Sequence, residues 1–322
     1  GSPPPTGSGC RPADLDGSTA VRSATVTHVD YDEFGLFHEN AEEFGIPYEG
    51  PPTVRRESVE VAAGRRLSAL VWGTGQPELV FFHGGAQNAH TWDTVALALD
   101  RPMVAVDLPG HGHSDGGPEG SLSVVRNGAD LATAVRQLAP EARAVIGMSL
   151  GGLSSLALAF QAPELVRRLV LVDITPGVTP TKSTAITDFV NGPASFASFD
   201  DILARTIEHN PTRSASSLRR GILHNAVQLE DGSWVWRYAR FRAGESAVQP
   251  EFFDLWGAVS SLAVPLLLVR GMTPGSVVDD EDEAEVLRRQ PDAEVVRVDG
   301  AAHSVQGDRP VLLARLIDQF AP

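Results

Sequence analysis

The run Ala144-Val145-Ile146-Gly147-Met148-Ser149-Leu150-Gly151-Gly152 constrains this chain more than any other stretch. It reads as a buried strand, a sharp turn and the start of a helix, and the turn has the form G-x-S-x-G, the pattern of a nucleophile elbow. A serine on so tight a turn needs neighbours without side chains two residues to either side, because a Cβ there would meet backbone. Gly147 and Gly151 fill those places. The hydroxyl then stands clear of the sheet edge, and the helix predicted from Leu150 to about Gln161 aims its free N–H groups and positive end at it. The apolar run Ala142 to Ile146 before the turn, and Leu153, Leu156, Ala157 and Phe160 at helical spacing after it, fit this frame.

With 322 residues, 42% of them apolar, the chain can fill one large α/β domain with an insertion or two small domains. No apolar run reaches the ~20 residues of a membrane span, and no basic, apolar-cored leader is visible, so a soluble, cytoplasmic protein is expected. The one cysteine, Cys10, excludes an intrachain disulfide and argues against a cysteine metal site. A net charge of −15 argues against nucleic acid and anionic membrane as partners and leaves a small molecule as the expected one. No metal-ligand cluster or phosphate loop stands out, so no cofactor or metal is expected; oligomeric state has no signature here.

Read in order, residues 1–27 form a tail rich in Pro, Gly and Ser without hydrophobic period, expected to be disordered. Residues 28–52 carry Phe34, Leu36, Phe37, Phe44 and Ile46 among acids and read as a strap packed on the body. A hairpin then spans Thr53 to Trp72. Strands over 78–83, 103–107, 142–146, 169–173, 265–270 and 293–298 alternate with helices over 91–99, 122–138, 150–161, 280–290 and 311–320, which predicts a mostly parallel, eight-stranded sheet with helices on both faces. The alternation breaks between 174 and 262. That insertion holds helical pieces near Phe189, Ile202 and Leu218, a hairpin turning at Asp231-Gly232, and the aromatics Trp234, Trp236, Tyr238, Phe241, Phe252, Phe253 and Trp256. It reads as a cap, and 53–173 with 263–322 as the core.

Four landmarks now stand in order: Phe82-His83-Gly84-Gly85, Asp107-Leu108-Pro109-Gly110-His111-Gly112-His113-Ser114, Gly147-Met148-Ser149-Leu150-Gly151 and Gly300-Ala301-Ala302-His303. On these the chain resembles the α/β-hydrolase-fold enzymes with a cap inserted after the sixth strand, from about Thr53 to the C-terminus. The resemblance implies Ser149 as nucleophile and His303, in the loop after the last strand, as its base, with His83, His111 and His113 shaping loops. His28, His38, His90, His209 and His224 are expected at the surface or in the cap.

The acid of the triad is open between two residues. In most enzymes of this fold it follows the seventh strand, yet Arg270-Gly271-Met272-Thr273-Pro274-Gly275-Ser276 holds no carboxylate. Asp173, at the end of the sixth strand, resembles the placement in haloalkane dehalogenases and zearalenone lactonases and is favoured; Asp279 reads as a helix cap and is the alternative. For the oxyanion two N–H donors are needed. Leu150, after the nucleophile, supplies one; Gly85 is favoured for the other, with Ala86 as alternative.

A serine nucleophile argues against dehalogenase and epoxide-hydrolase chemistry, which the family runs on aspartate. The expected activity is hydrolysis of a carboxylic ester or lactone of an apolar or aromatic small molecule through an acyl-enzyme, a zearalenone-type lactone being the sharpest candidate. A cofactor-independent lyase, cyclase or oxygenase, a C–C bond hydrolase, and a catalytically silent binding protein are the alternatives.

Overall fold

The computed structural model describes residues 1, 29–116, 123–238 and 254–322. The tail with Cys10, as well as His28, Phe241, Phe252 and Phe253, lies outside the described residues. The core strands, in chain order, are β1 (Val54–Ala62), β2 (Arg65–Trp72), β3 (Leu79–Phe82), β4 (Met103–Val106), β5 (Ala144–Met148), β6 (Leu169–Val172), β7 (Leu266–Gly271) and β8 (Glu294–Val298). The helices are α1 (Phe37–Phe44), α2 (Asp93–Leu99), α3 (Val124–Leu138), α4 (Leu150–Gln161), α5 (Thr184–Val190), α6 (Phe199–His209), α7 (Ala215–Asn225), α8 (Leu255–Ser260), α9 (Asp280–Arg289), α10 (Val305–Asp308) and α11 (Pro310–Phe320).

The eight strands form one sheet in the order β1-β2-β4-β3-β5-β6-β7-β8. The pairs from β4 to β8 are parallel, and the β1–β2 hairpin joins antiparallel to β4. Strands buried on both faces must be apolar throughout, and β3, β4, β5 and β6 are. Their side chains alternate between two cores. Val80 and Phe82 pack with Leu131 of α3, Leu156 of α4 and Val286 of α9, whereas Leu79 and Phe81 pack with Val95 of α2 and Ile317 of α11. Sequence order and sheet order reverse at β3–β5, which opens a crevice at the strands' carboxyl ends.

Helix starts follow their caps. The helix predicted from Leu122 begins at Val124 because the Ser123 hydroxyl accepts the Arg126 N–H at 3.0 Å; Leu122 itself is outside the described residues. The helix predicted from Thr91 begins as a 3₁₀ turn, Ala89–Trp92, capped by Asn88, and continues as α2.

The strap is built in. Phe37 is 1% exposed, with its ring 4.9 Å from that of Trp72, a burial contributing about 2–3 kcal/mol. Within the insertion, α6, α7 and a three-stranded sheet (Ser195–Phe196, Trp234–Trp236, Ala226–Gln228) enclose a small core of Phe196, Ile202, Ile222, Leu223 and Trp234, against which Tyr31 and Leu36 of the strap pack. Helix α8 behaves differently: Ala258 and Val259 join the main core beside α4, so this last piece of the insertion belongs to the body. Among the described residues no helix is long and apolar enough to cross a membrane.

Candidate active site

Ser149 joins β5 to α4 with φ +51° and ψ −119°, a backbone conformation L-residues avoid. The two glycines of the motif make it possible. A Cβ on Gly147 would stand 2.5 Å from Ser155 Oγ and 2.6 Å from the Gly151 carbonyl, and one on Gly151 would run into the carbonyls of Phe82 and His83. Leu150 opens α4, so its N–H has no carbonyl one turn back and is left at the helix mouth.

Asp173 directly follows β6, with φ +47° and a fully buried carboxylate. Four donors reach it. Oδ1 accepts the Gly271 N–H at 2.8 Å and the Ser276 hydroxyl at 2.6 Å; Oδ2 accepts the Val277 N–H at 3.1 Å and pairs with His303 Nδ1 at 2.9 Å. The stretch after β7, which lacks the usual carboxylate, thus supplies the donors that orient one from β6. An ionised Asp173 fixes the proton of His303 on Nδ1 and leaves Nε2 as the basic nitrogen. Among the described residues no hydrogen bond joins Ser149 to His303, a contact that commonly tightens only with substrate bound.

Asp279 is engaged elsewhere. Its carboxylate accepts the Asp282 N–H at 2.9 Å in a capping box that starts α9, and Lys182 lies 2.7 Å away. The Lys182 ammonium, with the backbone N–H of Asp282, holds the Asp279 carboxyl below its ordinary value.

The loop after β3 faces the elbow. His83, wholly buried, accepts the Leu108 N–H on Nε2 at 2.9 Å and donates from Nδ1 to the Gly84 carbonyl at 2.7 Å; burial pushes its pKa down to about 3. His111 Nε2 accepts the Ala86 N–H at 3.2 Å. Ala86, at φ +60°, therefore has its donor occupied, whereas Gly85, in the same turn and only partly buried, has no side chain to screen its own N–H. The cap clamps this loop: Asn225, at the end of α7, donates from Nδ2 to the Ala86 carbonyl at 2.7 Å, and the His111 backbone bridges to Tyr238. Trp236 stacks on Tyr238 at 5.5 Å between ring centres, and Phe189 meets Trp236 edge-on at 5.7 Å, giving the loop an aromatic roof.

One histidine expected at the surface or in the cap, His90, requires correction, since it is buried in the core; His224 lies in the insertion as expected, on a buried face. His90, at the start of α2, and His224, on α7, are both buried and stack at 3.8 Å with ring planes 11° apart. His90 lies between Asp93 at 2.9 Å and Glu33 at 3.1 Å, and His224 Nδ1 meets the Tyr31 hydroxyl at 2.7 Å. His90, Asp93 and His224 each present a ligand-type atom within 4.8 Å of the others, a cluster not visible in the sequence because its members come from core and cap. Ring lone pairs lie in the ring plane, and two nearly parallel planes 3.8 Å apart cannot both direct theirs at one ion. The group joins strap, core and cap through hydrogen bonds and a ring stack.

A family model described as "Alpha/beta hydrolase family" matches residues 79–316. The chain is 44% identical over 294 residues to Esterase Rv0045c of Mycobacterium tuberculosis, covering 89% of this chain and 94% of that protein. It is 31% identical over 251 residues to 2-(acetamidomethylene)succinate hydrolase of Mesorhizobium japonicum, covering 77% and 88%. A crystal structure of Rv0045c superimposes with a TM-score of 0.78 at 42% identity, over 91% of this chain and 99% of the other. Elbow, sheet order and these matches agree, and the chain belongs to the alpha/beta hydrolase family.

Proposed function

We propose that this carboxylic-ester hydrolase works through Ser149, His303 and Asp173. The observation that carries the reading is the 2.9 Å pairing of His303 with Asp173, which follows the strand next to the one that ends in the strained Ser149 elbow. His303 Nε2 takes the Ser149 proton as Oγ attacks the ester carbonyl. The tetrahedral oxyanion is met by the N–H groups of Leu150 and Gly85, donors worth ~3 kcal/mol each when removed. The imidazolium then protonates the leaving alkoxide, and a water deprotonated by His303 opens the acyl-enzyme. Asp173 keeps the tautomer and balances the transient positive ring.

The roof of Phe189, Trp236 and Tyr238 favours an apolar or aromatic ester. An acid after the sixth strand is also the placement of the zearalenone lactonases that the sequence resembles, so a lactone of that type belongs in the substrate panel. Turnover of esters and lactones read as acid release, together with fluorophosphonate labelling, tests the proposal. Ser149→Ala is expected to fold, to lose labelling and to lose ~10⁴ or more in turnover. Near-normal turnover by the folded variant would overturn it; loss of substrate without acid release would point to a lyase.

A further inference from the structure

Beside the oxyanion loop a cavity of about 170 Å³ runs between core and cap, far more than the ~10–15 Å³ that one water needs on the same measure. Gln87 and Gln306 form its wall toward the site, and Phe189, Ile222 and Trp236 its apolar wall. Gly84 lies between Gln87 and Ser149. The point where a Cβ on Gly84 would stand is 3.2 Å from Ser149 Cβ and 3.3 Å from Gln87 Oε1.

Arg213, in the loop between α6 and α7, lines this cavity. Its guanidinium lies against Gly307 of α10, where an added Cβ would stand 2.6 Å from Arg213 Nη1 and 3.1 Å from the hydroxyl of Ser304, the neighbour of His303. The one hydrogen bond this guanidinium makes among the described residues is from Nη2 to Ser217 Oγ, and its buried Nε has no acceptor. Among the described residues no carboxylate lies within 4.0 Å of it, although Glu43 and Asp308 are near enough for their charge to be felt. Both are held by other donors: Glu43 by Arg220 and Ser214, Asp308 by the Ala302 N–H at 2.9 Å. Arg220, buried on the same side of the cavity, is by contrast paired with Glu43, Glu39 and Asn40. A partly desolvated guanidinium without a close counter-ion is unfavourable, and its planar fork matches a carboxylate in two parallel hydrogen bonds.

We infer that the preferred esters of this enzyme carry a carboxylate, which Arg213 receives in the cavity while the apolar wall holds the carbon chain. This rests on the serine-esterase reading and narrows its substrate class to ester acids.

The test compares charged and neutral partners in two pairs, para-nitrophenyl hemiglutarate against hexanoate, and meta-acetoxybenzoate against phenyl acetate. In at least one pair the charged ester is expected to lead by roughly tenfold or more in kcat/KM, chiefly through KM, and Arg213→Gln is expected to lower that ratio by about tenfold, with Arg213→Lys in between. Ratios near one in both pairs, or an Arg213→Gln effect equal on both members, would overturn the inference. Should Arg213→Gln fail to fold, glutarate is tested as an inhibitor of neutral-ester turnover by the unmodified protein; competition that weakens with salt supports the inference and its absence overturns it. Should no ester be turned over, the esterase reading fails by itself, and calorimetric titration of glutarate into the unmodified protein still decides whether the cavity takes a carboxylate.

Discussion

Asp173 and His303, separated by 130 residues, meet at 2.9 Å because the loop after β7 donates three hydrogen bonds to the same carboxylate. Asp173→Asn keeps the shape but reverses the proton pattern, and is expected to lower kcat by up to ~10⁴. Asp279→Asn is expected to leave kcat within a few-fold and to cost about 1 kcal/mol of helix capping. Steady-state kinetics with thermal melting separates the two; an inactive Asp279→Asn beside an active Asp173→Asn would reverse the assignment.

Asn225 reaches from the cap to the Ala86 carbonyl and so fixes the Ala86–Gln87 peptide in the turn that carries Gly85. It is a positioning residue, since it touches the loop and not the reacting atoms. Asn225→Ala is expected to lower kcat by roughly tenfold with a smaller change in KM, because the donor it aligns acts in the transition state. Affinity for a boronate that mimics the tetrahedral adduct should fall in parallel. A change in melting temperature with unaltered kcat and boronate affinity would leave Asn225 with only a structural part.

Stability should depend on pH through His90. Burial opposes its charge, but Asp93 on one ring nitrogen and Glu33 on the other outweigh that, raising its pKa from 6.5 to about 9. A raised folded value stabilises fully below the unfolded pKa and is lost as pH climbs through about 9. Glu33, lowered from 4.5 to about 2 against its own burial by His90 and Arg56, acts in the opposite direction, its contribution lost as pH falls through about 2. The His90 contribution is therefore expected to make the melting temperature decline from pH 6.5 toward pH 9, by on the order of 1–3 kcal/mol of stability, whereas the acid side below 6.5 is governed by His83, which stays neutral in the fold down to about 3 and so withdraws stability as pH falls. His90→Gln should flatten the alkaline slope; an unchanged slope would assign it to another group.

Trp236 touches both Phe189 and Tyr238 and lines the cavity. Trp236→Ala is expected to change the ranking of aryl against short alkyl esters by about tenfold, from the apolar area it removes. A uniform loss across the panel would make the roof a cover without selectivity.

The readable parts of this molecule were those whose physics is local. The G-x-S-x-G turn needs its glycines within two residues of Ser149, and the buried strands announce themselves as unbroken apolar runs. Asp173 was readable through a gap, because residues 271–276 offer no carboxylate. What stayed hidden depends on distant partners. Nothing near His224 says that it will stack on His90, and nothing near Asn225 says that it will hold a carbonyl 139 residues away. Nothing near Arg213 in the sequence says that its Nε will be buried without an acceptor. The two-residue strand Ser195–Phe196 is shorter than any periodicity can register.

Ser149 and Asp173 both sit at positive φ, on neighbouring strand ends where glycine would be the relaxed choice. Each such conformation costs on the order of 1–3 kcal/mol, held in place by the sheet beneath it. A laboratory selection for heat resistance alone, blind to turnover, would therefore drift toward glycine at 149, while the donors gathered on Asp173 hold 173 as it is, and on the proposed mechanism it would deliver a sturdier protein that had lost its trade. Robust variants of this enzyme have to be sought with activity in the screen from the first round.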